Sequence, residues 1–282
     1  RLRGRTWIRV GSSLSTATPE DERRLAEKRR AHDLTFDISP VHAATLADLD
    51  LNLFERVYLP SSVAADILQL NRRNREQQLA SLRFTTADGK NVPTVIGILV
   101  VGKSPIDYVP CAYIQFLRIA GTQLSDPIKD QKRIEGPLPE MMQNLDAMLN
   151  TNISIKTDIT SKSIEQRKPD YPIAALQQLT RNAVLHRNYN VTNAPVRIYW
   201  FDDRIEIVNP GGPYGQVTRR NFGQPGITDY RNPFLAEAMG NLGYVQHFGV
   251  GIQIARQTLQ DNGNPPPEFT VEDTYTLVTV RR

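Results

Sequence analysis

The chain has 282 residues, 40% hydrophobic, 23% charged and 7% aromatic, which excludes an intrinsically disordered, collagen-like or disulfide-scaffolded protein. Lys and Arg outnumber Asp and Glu by 34 to 30, and the resulting charge of +4 admits a polyanionic partner such as DNA without requiring one. At about 100 to 200 residues per domain, the length implies about two domains that need no metal or disulfide staple.

The N-terminus is basic, with Arg3 and Arg5 as candidate phosphate contacts, but no apolar segment follows, so it does not read as a secretory signal. It lacks an initial methionine, and the sequence is expected to be part of a longer protein. Thr6 to Val10 reads as a strand. Thr18-Pro19-Glu20-Asp21 then starts a helix to about His32, with a capping threonine and a proline at its first position. Arg23 and Arg24 on that helix could contact DNA phosphates, yet Glu20, Asp21, Glu22 and Glu27 are interleaved as on an ion-paired, solvated surface.

Three helical segments are predicted between Thr45 and Phe84, broken by Pro60 and by the polar stretch Asn71 to Arg75. Pro93 to Val101 reads as a short buried helix or strand. The apolar run around it, Val92 to Gly102, is about half the ~20 residues a membrane helix needs, so no membrane partner is expected. Cys111, the single cysteine, can form neither an intramolecular disulfide nor a cysteine-rich zinc site, and a reducing, cytoplasmic compartment is expected. Cys111 to Ile119 alternates as a strand does. A helix from Pro137 to Asn150 precedes a domain boundary near residue 150.

After it the rhythm changes: strand Ile153 to Ile159, helix Pro172 to Arg187, strands Val196 to Phe201 and Arg204 to Asn209, a long Gly/Pro loop, helices Asn232 to Leu242 and Gly251 to Asp261, and strands Glu268 to Glu272 and Thr274 to Arg281. That order predicts a multi-domain α+β chain whose C-terminal part, from about residue 153 to 282, is an α/β sandwich with one sheet covered on one face.

Candidate chemistry concentrates in this part. On the helix from Pro172, Gln178, Asn182 and His186 lie four apart and share a polar stripe opposite Ile173, Leu176, Leu179 and Ala183. The strand ending at Asn209 runs into Pro210-Gly211-Gly212, where glycines let backbone approach a ligand. Gly249-Val250-Gly251 opens a helix, whose free N–H groups suit an anion. The four histidines, His32, His42, His186 and His247, have no metal spacing.

Together, Gln178 to Tyr189, Ile205 to Gly212, Arg231-Asn232-Pro233 and Gly243 to Ile252 resemble the C-terminal domain of the RecG-related transcriptional regulators. That domain resembles a divergent gyrase, histidine-kinase and MutL (GHKL, Bergerat-type) ATP-binding fold. No Gly-x-x-x-x-Gly-Lys-Ser/Thr is present, so no helicase motor is expected. Trp7 to Ser13 and Ala17 to Glu22 resemble the end of the AlbA-like, Schlafen-type DNA-binding module that precedes this domain in the family, and Pro93 to Lys103 its middle region. The implied organisation is 1–35, tail of that module; 36–150, an α/β middle domain; and 151–282, the nucleotide-binding-type domain.

The resemblance implies ATP with Mg²⁺ as ligand, held by Asn182, His186, Asn209, Gly211, Gly212, Gly249 and Gly251, with Asn182 reaching Mg²⁺ through the nucleotide. It also implies DNA as partner and a homo-oligomeric assembly. Hydrolysing relatives carry a Glu as general base where Gln178 stands, and an amide cannot accept that proton. Their adenine-binding Asp corresponds to Asn209, and a glycine of the same motif to Pro213. The implied function is therefore regulation, with a degenerate nucleotide-binding domain as sensor or scaffold. Its competitors are an ATPase using Glu206 or His186 as base, and a protein-interaction module in which the glycines serve only turns and packing.

Overall fold

The computed structural model describes residues 7–10, 13–18, 21–22, 35–70, 72–158, 166–245 and 249–282. The chain divides into two compact units, Arg1–Thr35 and Phe36–Arg282. In the first, β1 (Trp7–Val10) pairs antiparallel with β2 (Ser13–Thr16), Trp7 facing Thr16 and Val10 facing Ser13. The polar sequence of β2 carries no alternation that would have announced it. The threonine cap expected at residue 18 is present, because Asp21 N–H donates to Thr18 Oγ1 (3.2 Å) and Thr18 N–H donates to Asp21 Oδ2 (3.0 Å). Most of the helix predicted after it lies outside the described residues, as do Arg3, Arg5, Arg23 and Arg24.

The second unit is α+β and is built on a mixed six-stranded sheet. Its strands are β3 (Ile114–Ile119), β4 (Ile128–Ile134), β7 (Val196–Trp200), β8 (Arg204–Pro210), β9 (Glu268–Val271) and β10 (Tyr275–Arg281), in the order β4-β3-β7-β8-β10-β9. β3 runs parallel to β7, and every other pair is antiparallel. A two-stranded ribbon, β5 (Ile155–Asp158) with β6 (Gln166–Pro169), stands apart from this sheet.

The sheet therefore crosses residue 150, where a break between domains was expected, and residues 36–282 pack as one body. Phe116 on β3 and Trp200 on β7, both buried, meet edge-on at 6.4 Å between centroids, and Tyr171 closes on Trp200 at 5.7 Å. Asp37, near the start of the unit, accepts the N–H groups of Phe234 (2.7 Å) and Leu235 (3.1 Å), capping a helix of the C-terminal region. β4 escaped the sequence reading because Ile-Lys-Asp-Gln-Lys-Arg-Ile is a charged, mostly exposed edge strand, the composition that protects an edge from stray pairing.

The helices are α1 (Ala65–Leu70), α2 (Arg75–Ser81), α3 (Val95–Val101), α4 (Leu138–Asn152), α5 (Ile173–His186), α6 (Pro233–Asn241) and α7 (Gly251–Asp261), with shorter turns before and between them. Pro60 does not break its segment: the helical run from Leu51 to Ser62 passes through a π turn at Phe54–Tyr58, and the missing N–H falls at that change of bonding pattern. The run that reads as helix or strand is the helix α3, buried at every position, which is why its apolar sequence shows no period to tell the two apart. No described helix is long and apolar enough to cross a membrane.

Candidate functional site

Burial alternates along β8, where Ile205, Ile207 and Asn209 turn inward and Arg204, Glu206 and Val208 turn the other way. Across the ladder Val280 faces Ile205, Val278 faces Ile207 and Thr276 faces Asn209, so an apolar row ends in a polar pair at the strand ends. α5 lies over that row with Leu176, Leu179 and Ala183 buried, and its second stripe, Gln178, Asn182 and His186, lines a cavity of about 140 Å³ that opens to solvent. Asn209, Thr276, Gly211, Gly212, Gly249 and Gly251 line the same cavity.

Gly251 begins α7 directly against α5: a Cβ there would sit 3.0 Å from Asn182 Nδ2 and 3.1 Å from Gln178 Oε1. The juxtaposition of Asn182 with the glycine turn, on which the sequence reading of this region depends, is present. Gly249 has φ +63°, a left-handed conformation that suits glycine. Gly211 and Gly212 have a structural reason to be glycine apart from any ligand. A Cβ on Gly212 would lie 2.4 Å from the carbonyl oxygens of Glu272 and Asp273, and Gly211 has φ +135° with Asn188 3.1 Å from its Cβ position.

The Gly/Pro loop, residues 211–232, closes over the cavity and is stapled to itself. Asp229 accepts the N–H groups of Gln216 (3.1 Å) and Tyr230 (2.9 Å), Gln216 Nε2 donates to the Thr228 carbonyl (2.5 Å), and Gln253 of α7 donates to the Gly223 carbonyl (2.9 Å). Asp229 is thus occupied in loop structure and is the single carboxylate lining the cavity among the described residues. Glu206, considered as a substitute base, points to the opposite face of β8 and bonds Arg204 at 2.6 Å.

His186, the other substitute, stacks on Tyr230 with ring centroids 5.6 Å apart and planes 8° from parallel. Burial, reinforced by the nearby Arg231 charge, pushes its pKa from 6.5 down to about 4. It is neutral at pH 7, and a base that weak abstracts protons poorly. The shift carries a stability consequence. Between pH 6.5 and 4 the unfolded chain binds the proton and the folded chain does not, so stability is full above 6.5 and falls as the pH drops through that window, by about 2–3 kcal/mol in all. Urea unfolding at pH 7.5 and 4.5 is expected to show this loss in the wild type and a smaller one in His186→Gln; equal losses in both would contradict it.

Sequence reading missed Thr276, Tyr214 and Arg231, since each becomes informative only through its neighbours. Arg231 donates from Nη2 to the Gly212 carbonyl (3.2 Å), lies over the Tyr214 ring at 4.7 Å, and keeps a buried Nε without a partner. Burial lowers its pKa, and no carboxylate opposes it among the described residues. A part-buried cation without a counter-ion beside the cavity favours an anionic ligand.

The cavity is small and flat-ligand sized, about 140 Å³. A pocket of about 150 Å³ holds a benzene-sized ring, whereas pockets that enclose whole drug-sized ligands measure about 300–1,000 Å³, so this cavity has room for one flat ring system. The buried Asn209 Oδ1 has no partner and is ready to accept from such a ring. A protein-held Mg²⁺ does not fit: the ion prefers carboxylates or phosphates, the candidate ligand here is the amide of Asn182, and no group of three or more His, Cys, Asp or Glu side chains converges among the described residues.

A family model described as "Putative ATP-dependent DNA helicase recG C-terminal" matches residues 193–280, covering β7 to β10 and the glycine-rich segments, with α5 just outside it. A crystal structure of the DIP2311 protein from Corynebacterium diphtheriae is similar at a TM-score of 0.65 and 20% identity, over 98% of this chain and 53% of that one. This likeness shows a shared fold, and the chain spans about half the length of that protein. No curated protein matches the sequence.

Proposed function

We propose that this chain binds a purine nucleotide as a signal and does not consume it. The observation that carries the reading is the buried Asn209 with an unsatisfied oxygen at the end of a ring-sized cavity, framed by Asn182 and the Gly249–Gly251 turn. The family match over residues 193–280 supports ATP as the ligand class. Arg231, beside the cavity, supplies the positive potential that phosphates require. Among the described residues catalysis lacks its proton acceptor: residue 178 is an amide, Asp229 is held by backbone N–H groups, Glu206 faces away and His186 is too weakly basic.

On this reading the domain is the sensing or scaffolding part of a DNA-associated, oligomeric regulator. That wider role rests on the resemblance of the motifs and on the modest positive charge. DNA contact through Arg3, Arg5, Arg23 and Arg24 would be weak and lost with rising salt, as phosphate-only binding is.

Titration calorimetry with ATP, with and without Mg²⁺, is expected to give saturable one-site binding while a phosphate-release assay on the same sample stays at background. Absence of any heat or thermal stabilisation at millimolar ATP would instead leave the glycines to turns and packing, and favour an interaction module.

A further inference from the structure

The ring-recognising end of the cavity consists of one amide and one hydroxyl. Asn209, 6% exposed, and Thr276, 7% exposed, are directly opposed on β8 and β10, so their Cβ atoms stand about 5 Å apart and both side chains face the cavity. The next residues along that face, Ile207 before Asn209 and Val278 after Thr276, are apolar and face each other across the ladder. A planar heterocycle sliding over that apolar row would meet the Asn209–Thr276 pair with its polar edge.

Neither group has a fixed hydrogen-bond polarity. No described group donates to Asn209 Oδ1, and turning the amide over exchanges acceptor for donor at the same point. A threonine hydroxyl donates or accepts according to its rotor. The 6-amino purine edge offers a donor beside an acceptor, and the 6-oxo edge offers an acceptor beside a donor. The amide and hydroxyl can match either arrangement, whereas a carboxylate at 209 would accept only and would reject the 6-oxo edge by leaving buried acceptors facing each other.

We propose that the pocket does not discriminate between 6-amino and 6-oxo purine nucleotides, and that the amide of Asn209, able to present either hydrogen-bond polarity, is what makes it tolerant. The proposal rests on the nucleotide-binding reading above. Its test is calorimetric titration of the full chain with ADP and with IDP, which differ only at the 6-position and N1 of the base. Wild-type affinities within about fivefold of each other are expected. Asn209→Asp should favour ADP over IDP by at least about tenfold, and Thr276→Val should weaken both alike. Wild-type preference for ADP of about thirtyfold or more would overturn the inference and leave nucleotide binding intact. Binding of neither diphosphate would overturn both. If Asn209→Asp does not fold, the wild-type ratio alone decides.

Discussion

Arg187→Ala is expected to lower the unfolding free energy by about 3–5 kcal/mol, a large fraction of the about 5–15 kcal/mol of an ordinary folded protein. Arg187 is 1% exposed, and its fork is spent on backbone carbonyls: Nε on Ala194 (3.1 Å), Nη1 on Asn188 (3.0 Å), and Nη2 on Thr192 (2.8 Å) and again on Ala194. Truncation would take their shared donor from these part-buried loop carbonyls. It would also remove the guanidinium from the face of Tyr189, 4.8 Å away. Lysine cannot reproduce the planar fork, so Arg187→Lys should lose most of the same stability. Urea denaturation of the two variants checks this; a change under about 1 kcal/mol in Arg187→Ala would show that the loop from 188 to 195 is held by something else.

The largest expected effect on chemistry is at residue 178. Wild-type protein is expected to hold ATP without turnover, and Gln178→Glu to raise phosphate release, because a placed base is worth about 10²–10⁴ in rate. The surroundings favour an ionised carboxylate there: residue 178 lies against Gly251 at the N-terminus of α7, where the helix dipole stabilises negative charge. That same stabilisation weakens the base, so a gain nearer 10² than 10⁴ is expected. The measurement is phosphate release at saturating ATP–Mg²⁺ for both proteins. Brisk wild-type turnover abolished by Asn182→Ala would contradict the account and establish an ATPase with another base.

How much of this was legible in the sequence varied with the kind of signal. Periodicity located α5, α7, β7, β8 and β10 to within a residue or two, because each has one buried and one half-buried side. It missed β2, whose polar sequence carries no such contrast, and β4, which is charged and mostly exposed. The domain boundary near residue 150 looked plausible because α4 ends there. The parallel pairing of β3 with β7, which joins the two sides, is a long-range contact that no local pattern announces.

The site shows the same division. Gln178, Asn182 and His186 were readable from helical spacing, and Asn209 from its place before Gly211. Thr276 was not, since its importance comes from standing opposite Asn209 across the ladder. The motif His-Arg-Asn-Tyr mixes purposes that sequence could not separate. His186 lines the cavity, while Arg187 and Tyr189 hold the next loop, Tyr189 by donating its hydroxyl to the Val184 carbonyl at 3.0 Å. In Arg231-Asn232-Pro233, Asn232 donates to the carbonyls of Leu185 (2.8 Å) and Arg187 (2.9 Å) to close the end of α5, and Pro233 starts α6, leaving Arg231 to the neighbourhood of the cavity.

A crystal structure of the protein soaked with a non-hydrolysable ATP analogue would show directly whether the cavity holds a nucleotide. The base is expected against Asn209 and Thr276, with the phosphates running past Asn182 toward the Gly249–Gly251 turn and no ion held by protein carboxylates. An empty cavity at millimolar analogue, or the analogue bound elsewhere on the chain, would contradict it.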